Sequence, residues 1–331
     1  MYHMVHGAIM RRNVVKTILF GMMMGTLGLS AAASEAWPSR PIRFVIPQGP
    51  GSGNDVLARS FAEQLGKELN QTIIVENRPG ANGVLAARTL LSQPNDGYTM
   101  FMAGVSNLSW NPHLYSDLPY DPIKDFDGVA IFADTPFVSI ISPTLGVKTF
   151  DEFRQFIQNN PGKYSFASAG IGNSTHLSSE LIMRKVGFDM QHVPFNGPGS
   201  TTSVMSGDTP FMTTVPGGVT SMIQSGKLIA IAVAGKKRLD SLPDVPTYKE
   251  LGYDITVPGW YSIVMKKGTD PQIIDKLNVA INKVLQTEEM KKGLAFQSLE
   301  AVHTKPEDVR GCIERDAQGW ADLIQELGIK Q

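Results

Sequence analysis

The stretch PQGPGSGNDVLARSFAEQL, residues 47–65, joins a strand pattern to a helix pattern. Ahead of it, IRFVI (residues 42–46) is a continuous apolar run, as a strand buried on both faces requires. Behind it, Leu57, Phe61, Leu65 and Leu69 recur every four residues and share one face of a helix. Three glycines and two prolines fill the turn between them. The first N–H groups of a helix have no partner within it, and its dipole is positive at that end. A strand–glycine turn–helix junction therefore favours an anion.

Phosphate motifs do not fit this turn. A P-loop places Lys and then Ser or Thr after its last glycine, whereas Asn54 and Asp55 follow Gly53. The dinucleotide fingerprint needs Gly or Ala where Val56 stands, and a second candidate, Gly170-x-Gly172, ends at Thr175. Two further loops repeat the punctuation: SAGIGNSTH (residues 168–176) and FNGPGSTT (residues 195–202). Ser52, Asn54, Ser174, Thr175, Asn196 and Ser200 add neutral donors, and none of the three loops contains Arg or Lys. Amides and hydroxyls suit one or two carboxylates better than a polyphosphate. A reading without a ligand stands beside this one, because glycines serve tight turns and Ser, Thr, Asn and Asp cap helices. Asp55 is open between capping its helix and hydrogen-bonding a ligand amino or hydroxyl group.

The same rhythm extends in both directions. TIIVEN, the turn RPGANG, helical VLAARTLLSQ and strand-like GYTMFMAG continue a β-α-β-α-β pattern, the signature of an open parallel sheet with helices on both faces. Thr149 and Glu152 make a capping box, as do Thr247 and Glu250. KYSFAS, QHVPF and LIAIAVAG read as further strands, and ITVPGWYSIVM as a return to the first unit. Asp270 and Pro271 open a helix, and a last one carries Val309, Ile313, Trp320, Ile324 and Leu327. The expectation is an α/β fold of two lobes with a ligand cleft between them: residues 37–137 plus 259–331, and residues 138–258.

The chain has 331 residues, 42% of them apolar, with 32 Gly, 21 Pro and a formal net charge of −1. That composition is globular, and no basic surface argues for nucleic acid. Arg11, Arg12 and Lys16 precede the short apolar run of residues 17–29 and the small residues SAAASEA, which reads as a secretory signal over residues 1–33. Cleavage is expected before Ser34 or Trp37, and Met10 is a second candidate start. Removing residues 1–33 takes three of the 30 basic side chains and no acidic one, leaving 27 against 31. The single cysteine, Cys312, excludes an intramolecular disulfide. His113, His176, His192 and His303 form no metal motif, and G-x-S-x-G is absent, so no enzyme is expected; His176 beside Ser174 and Thr175 is the histidine to watch.

The order of these segments resembles the periplasmic receptors of tripartite tricarboxylate transporters, the Bug proteins. The resemblance rests on WPSRPIRFVIPQGPGSGND, VENRPGANG, PNDGYT, NPHLY with LPYDPIKDF, NPGKYSFASAGIGNSTHLSSE, HVPFNG, SGKLIAIAV and KRLDSLPDVPTYKELG, in sequence from Trp37 to Lys330. It implies a periplasmic-binding-protein (venus-flytrap) fold closing over a small organic acid, without metal or cofactor. It also implies a monomer located in the periplasm that delivers its ligand to a membrane permease; a ligand sensor for a membrane signalling partner and, after it, a periplasmic hydrolase are the alternatives. Carried onto matching positions, the ligand residues are Pro50, Gly51 and Asp55 in the first loop, where Gly49 is a further candidate, and Ser168, Gly170, Gly172, Ser174 and His176 in the second. Phe195 and Gly197 follow in the third loop, with Trp260 near the second crossing. Gln48 stands where the family usually has an aromatic residue, Ser52 where it has glycine, and Asn196 where Lys is common. Thr209 and Pro210 replace a Val-Asp pair. These changes move the surroundings of the site towards amides, and a citrate-like ligand does not follow from the resemblance.

Overall fold

The computed structural model describes residues 36–195 and 199–329. The expected export signal, Asn196 and Gly197 lie outside them. Strand β1 (Ile42–Ile46) leads through the first glycine turn into α1 (Gly53–Leu69); β2 (Ile73–Asn77), α2 (Val84–Leu91) and β3 (Thr99–Gly104) follow. After the short α3 (Asn111–Leu114), β4 (Phe126–Asp134) leaves for a second sheet. That sheet comprises β5 (Val138–Ile141), β6 (Ser165–Ser168), β7 (Gln191–Pro194), β8 (Phe211–Thr214) and β9 (Ile229–Val233). Its helices are α4 (Phe150–Gln158), α5 (Ser174–Val186), α6 (Gly199–Ser206) and α7 (Thr220–Gln224). The chain returns as β10 (Trp260–Lys266), then α8 (Pro271–Val284), α9 (Glu288–Phe296), β11 (Glu300–Ala301) and α10 (Pro306–Leu327).

The first sheet has the order β2-β1-β3-β10-β4-β11 and the second β7-β6-β8-β5-β9. Neither is fully parallel, which corrects the sequence expectation. β10 runs antiparallel to β3 and β4, and β5 antiparallel to β8 and β9. The reason is the connection between the sheets: β4 carries the chain out and β10 carries it back, so they must run in opposite directions. This also fixes where the loops fall. Asp134 pairs with Trp260 at the crossing end of one sheet, and Val138 pairs with Thr214 and Val233 at that end of the other. The C-terminal ends of β1, β2 and β3, and of β6, β7 and β8, therefore share the crossing side. Ligands of open α/β sheets bind at that edge.

Packing follows the alternation of strand side chains. Phe44 of β1 meets Phe61 of α1 at 6.0 Å, and Phe61 stacks on Phe132 of β4 at 4.9 Å. Val45, pointing to the opposite face, clusters with Val84, Ala86 and Ala87 of α2. In the second lobe Phe153 stacks on Phe211 at 5.1 Å and meets Phe188 edge-on at 5.7 Å. Burying each such ring contributes about 1.5–3 kcal/mol.

Both capping boxes form, with different outcomes. Thr149 and Glu152 exchange their bonds at the start of α4. Thr247 and Glu250 exchange theirs as well, yet they close a turn through Leu251 N–H and Thr247 O, without a helix behind it. No helix among the described residues is long and apolar enough to cross a membrane.

Candidate functional site: the loops at the crossing edge

The first loop is held by its own side chains. Ser52 caps α1, its Oγ accepting from Asp55 N–H at 3.2 Å while donating to Gly49 O at 2.9 Å. Gly51 adopts φ +79°, a left-handed conformation suited to glycine, and donates its N–H to Asp55 Oδ2 at 2.9 Å. Asn77, at the end of β2, donates to Asp55 Oδ1 and to Gln48 O, both at 2.9 Å. Arg59, one turn further along α1, pairs with the same carboxylate at 2.9 Å. Burial pushes the Asp55 carboxyl up, but the bonds from Arg59, Gly51 N–H and Asn77 outweigh it and hold its pKa at about 2. Asp55 is 4% exposed and both its oxygens are taken, so it organises the loop. The Asn54 side chain pairs with the Tyr261 hydroxyl. The N–H groups of Gly53 and Asn54 have no acceptor among the described residues.

The turn after β2 supplies a second wall. Ala81 and Asn82 sit at φ +45° and +47°, and Gly83 at +85°. A buried amide network pins this turn. Asn107 and Asn111 both donate to Asn82 O, at 2.8 and 3.1 Å; Asn111 also donates to Tyr120 Oη at 2.9 Å, and Tyr120 donates to Asn107 O at 2.6 Å. A Cβ on Gly83 would lie 2.2 Å from Asn107 Nδ2 and 3.2 Å from Pro47 Cβ. The loops after β1, β2 and β3 therefore touch one another. Asn82 Nδ2 donates to Asn111 Oδ1 at 2.8 Å and reaches Gly172 O of the second lobe at 3.4 Å.

In the second lobe, the loop after β6 consumes most of its own donors. Ala169 N–H donates to Thr175 Oγ1 (2.8 Å), Gly170 N–H to Ser168 Oγ (3.1 Å), and Gly172 N–H to His176 Nδ1 (3.1 Å). Asn173 caps α5, accepting from Thr175 N–H at 3.0 Å. The expectation of a row of free amides is thus met only sparsely here, and the Ser174 N–H is the donor left without a partner among the described residues. Accepting from Gly172 leaves the His176 proton on Nε2, which faces Glu180 at 3.6 Å. His192 pairs with Ser168 Oγ at 2.6 Å and stacks on His176 at 3.7 Å between ring centroids. Ser168 is fully buried, so this serine–histidine pair braces the loop from beneath.

Burial, and then the neighbouring His176, lower the His192 pKa to about 4. The unfolded chain takes up this proton near its ordinary value of about 6.5, before the native state does. Stability contributed by neutral His192 is therefore present above pH 6.5 and lost as pH falls to about 4. Urea unfolding between pH 7 and 4.5 should show the native protein losing about 2 kcal/mol more than His192→Gln. Equal losses in both proteins contradict this account.

Known proteins share this fold. Residues 57–329 match the family described as the tripartite tricarboxylate transporter family receptor. The chain belongs to that family. Among its relatives is protein BugT of Bordetella pertussis, 32% identical over 94% of this chain and 97% of BugT. The solved periplasmic binding protein BugD superposes with a TM-score of 0.82 at 28% identity, over 89% of this chain and all of BugD. MatC of Rhodopseudomonas palustris, solved with bound malate, gives a TM-score of 0.79 at 26% identity, over 87% of this chain and all of MatC. The two-lobed periplasmic-binding-protein fold follows.

Within this receptor the residues named from sequence divide by position. Gln48, Gly49, Pro50, Gly51 and Ser52 lie on the first loop and Asn54 in the first turn of α1, while Ser168 to His176 run from the end of β6 through the loop that meets Asn82 into α5. Phe195 closes the end of β7, donating its N–H to Ser168 O at 2.9 Å and packing on Gly199. Trp260 departs from expectation: it is buried in β10 and spends its indole N–H on Asp316 of α10 at 2.6 Å, so it has no polar atom to offer a ligand. Sequence reading passed over Asn82, whose RPGANG turn was visible as punctuation. It also passed over the VPGG turn after β8 and the turn after α9, which carry no phosphate-like signature.

Proposed function

We propose that this receptor is exported to the periplasm, captures a small carboxylated organic molecule between its lobes, and delivers it as a monomer to a membrane permease. The lobes are residues 37–137 with 259–331, and residues 138–258. One observation carries the reading: loops from the C-terminal ends of parallel strands in both sheets meet, with Asn82 of one reaching Gly172 O of the other at 3.4 Å. The open N–H groups of Gly53 and Asn54 at the start of α1, and that of Ser174 at the start of α5, take the carboxylate. The loops of residues 47–55 and 168–176 and the end of β7 at Phe195 surround it, with Asp55 and Ser168 holding them in place. Lobe closure is favoured only as far as the closed state adds ligand contacts. Malate bound to MatC, at 26% identity, supports a carboxylate here.

The reading excludes turnover, and the buried Ser168 hydroxyl supports that exclusion. Protein purified gently from the periplasm and then denatured should release a carboxylic acid, identified by mass spectrometry and unchanged after incubation with fresh receptor. Release of a neutral molecule, or its conversion on incubation, contradicts the proposal.

A further inference from the structure

Gln297 lies in the turn between α9 and β11, far in sequence from every glycine loop. It is 7% exposed, and its side-chain amide has no hydrogen-bond partner among the described residues. The residue is clamped between the lobes. A Cβ on Gly217, just beyond β8, would lie 2.9 Å from Gln297 O and 3.0 Å from Gln297 Cβ. A Cβ on Gly53 would lie 3.3 Å from Gln297 Oε1. Both neighbours thus lack a side chain where the glutamine passes, and its amide ends beside the first turn of α1. The turn is fixed from the other lobe as well: Ser298, at φ +55°, pairs its Oγ with Ser241 Oγ at 2.6 Å.

A carboxamide at the lobe boundary that makes no bond to the protein and keeps some solvent contact is free to bond a bound group in place of water. We propose that Gln297 contacts the ligand and reads an uncharged hydrogen-bonding group at its second end, so that the ligand is a monocarboxylate bearing a neutral group such as a primary amide. This deepens the carboxylate reading above and rests on it. Three features favour a neutral second end over a second carboxylate. The first and second glycine loops contain no Lys or Arg to balance another negative charge. A glutamine amide can exchange two hydrogen bonds with another amide, one in each direction, whereas a carboxylate can only accept. Gln48 Oε1, in the loop that leads to Gly53, is buried without a partner, and an acceptor needs a donor on whatever it meets.

The test is calorimetric titration of the mature chain, stripped of ligand by unfolding and refolding. The probes are straight-chain diacids of three to six carbons, their monoamides and their diamides. A monoamide is expected to bind at least about tenfold more tightly than its diacid. Gln297→Met should bring it to the diacid's level while the diacid changes less than about twofold. Ser241→Ala, which loosens the same turn without removing the amide, should leave that selectivity ratio unchanged. A diacid that binds more tightly than its monoamide overturns the proposal, as does Gln297→Met weakening both equally. Silence from the whole panel overturns it too, because the panel spans the neutral-ended acids. A diamide matching the monoamide would instead refute the carboxylate reading itself.

Discussion

Asp55→Ala should lower the unfolding free energy at pH 7 by about 3 kcal/mol, the scale expected for losing a buried hydrogen-bonded carboxylate. The substitution removes the acceptor for Gly51 N–H, Arg59 and Asn77 together. Proton linkage leads to a similar figure. The carboxyl titrates near pH 2 in the native state against an ordinary value of 3.8, a difference worth about 2.5 kcal/mol. Because the native value is the depressed one, this stability is present above pH 3.8 and disappears as pH falls through 2. The gap between wild type and Asp55→Ala in urea unfolding should accordingly narrow below pH 4. A variant as stable as wild type at pH 7 would show that the loop stands without its carboxylate. Ligand affinity should fall as well, since Gly51 to Asn54 lose their fixed positions.

Gly259→Ala acts at the crossing between the sheets. A Cβ there would lie 2.2 Å from Thr135 O and 2.9 Å from Phe137 Cε2. Backbone cannot yield as a flexible side chain does, so the two crossing segments must separate. The bond from Thr135 N–H to Gly259 O, 2.9 Å in the native chain, is strained with them. Overpacking at a backbone contact costs about 3 kcal/mol or more. Thermal unfolding should show a clear drop, together with weaker ligand binding, because the crossing sets how the lobes meet. Gly146→Ala is the control: its Cβ would meet nothing within 4 Å, and its φ of +73° alone produces a smaller loss. Equal effects of the two substitutions would refute the crossing argument.

Much of the fold was legible because local chemistry and tertiary structure agree. The apolar run at residues 42–46 is β1, the four-residue spacing from Leu57 is the buried face of α1, and the Asp270–Pro271 start of α8 is capped as its sequence indicates. What stayed hidden depends on distant partners. The direction of β10 follows from the chain's return from the second sheet, which no local pattern encodes. Thr247 and Glu250 make their capping bonds as composition suggests, yet tertiary context stops the helix. The site divides in the same way. Glycine punctuation marked three loops, but Asn82 gains its position from Asn107, Asn111 and Tyr120, and Gln297 gains its position from Gly53 and Gly217. Trp260 was legible as an aromatic at a crossing. Its engagement with Asp316, 56 residues on, was not.

The central claim is that the cleft holds a carboxylate on helix N-termini and loop donors. Calorimetric titration of the ligand-stripped mature receptor tests it most directly, with carboxylic acids each paired with their fully amidated counterparts. The account predicts that at least one acid binds and that removing its charge by amidation weakens binding by at least about tenfold. Binding of the neutral compound as tightly as the acid would contradict it.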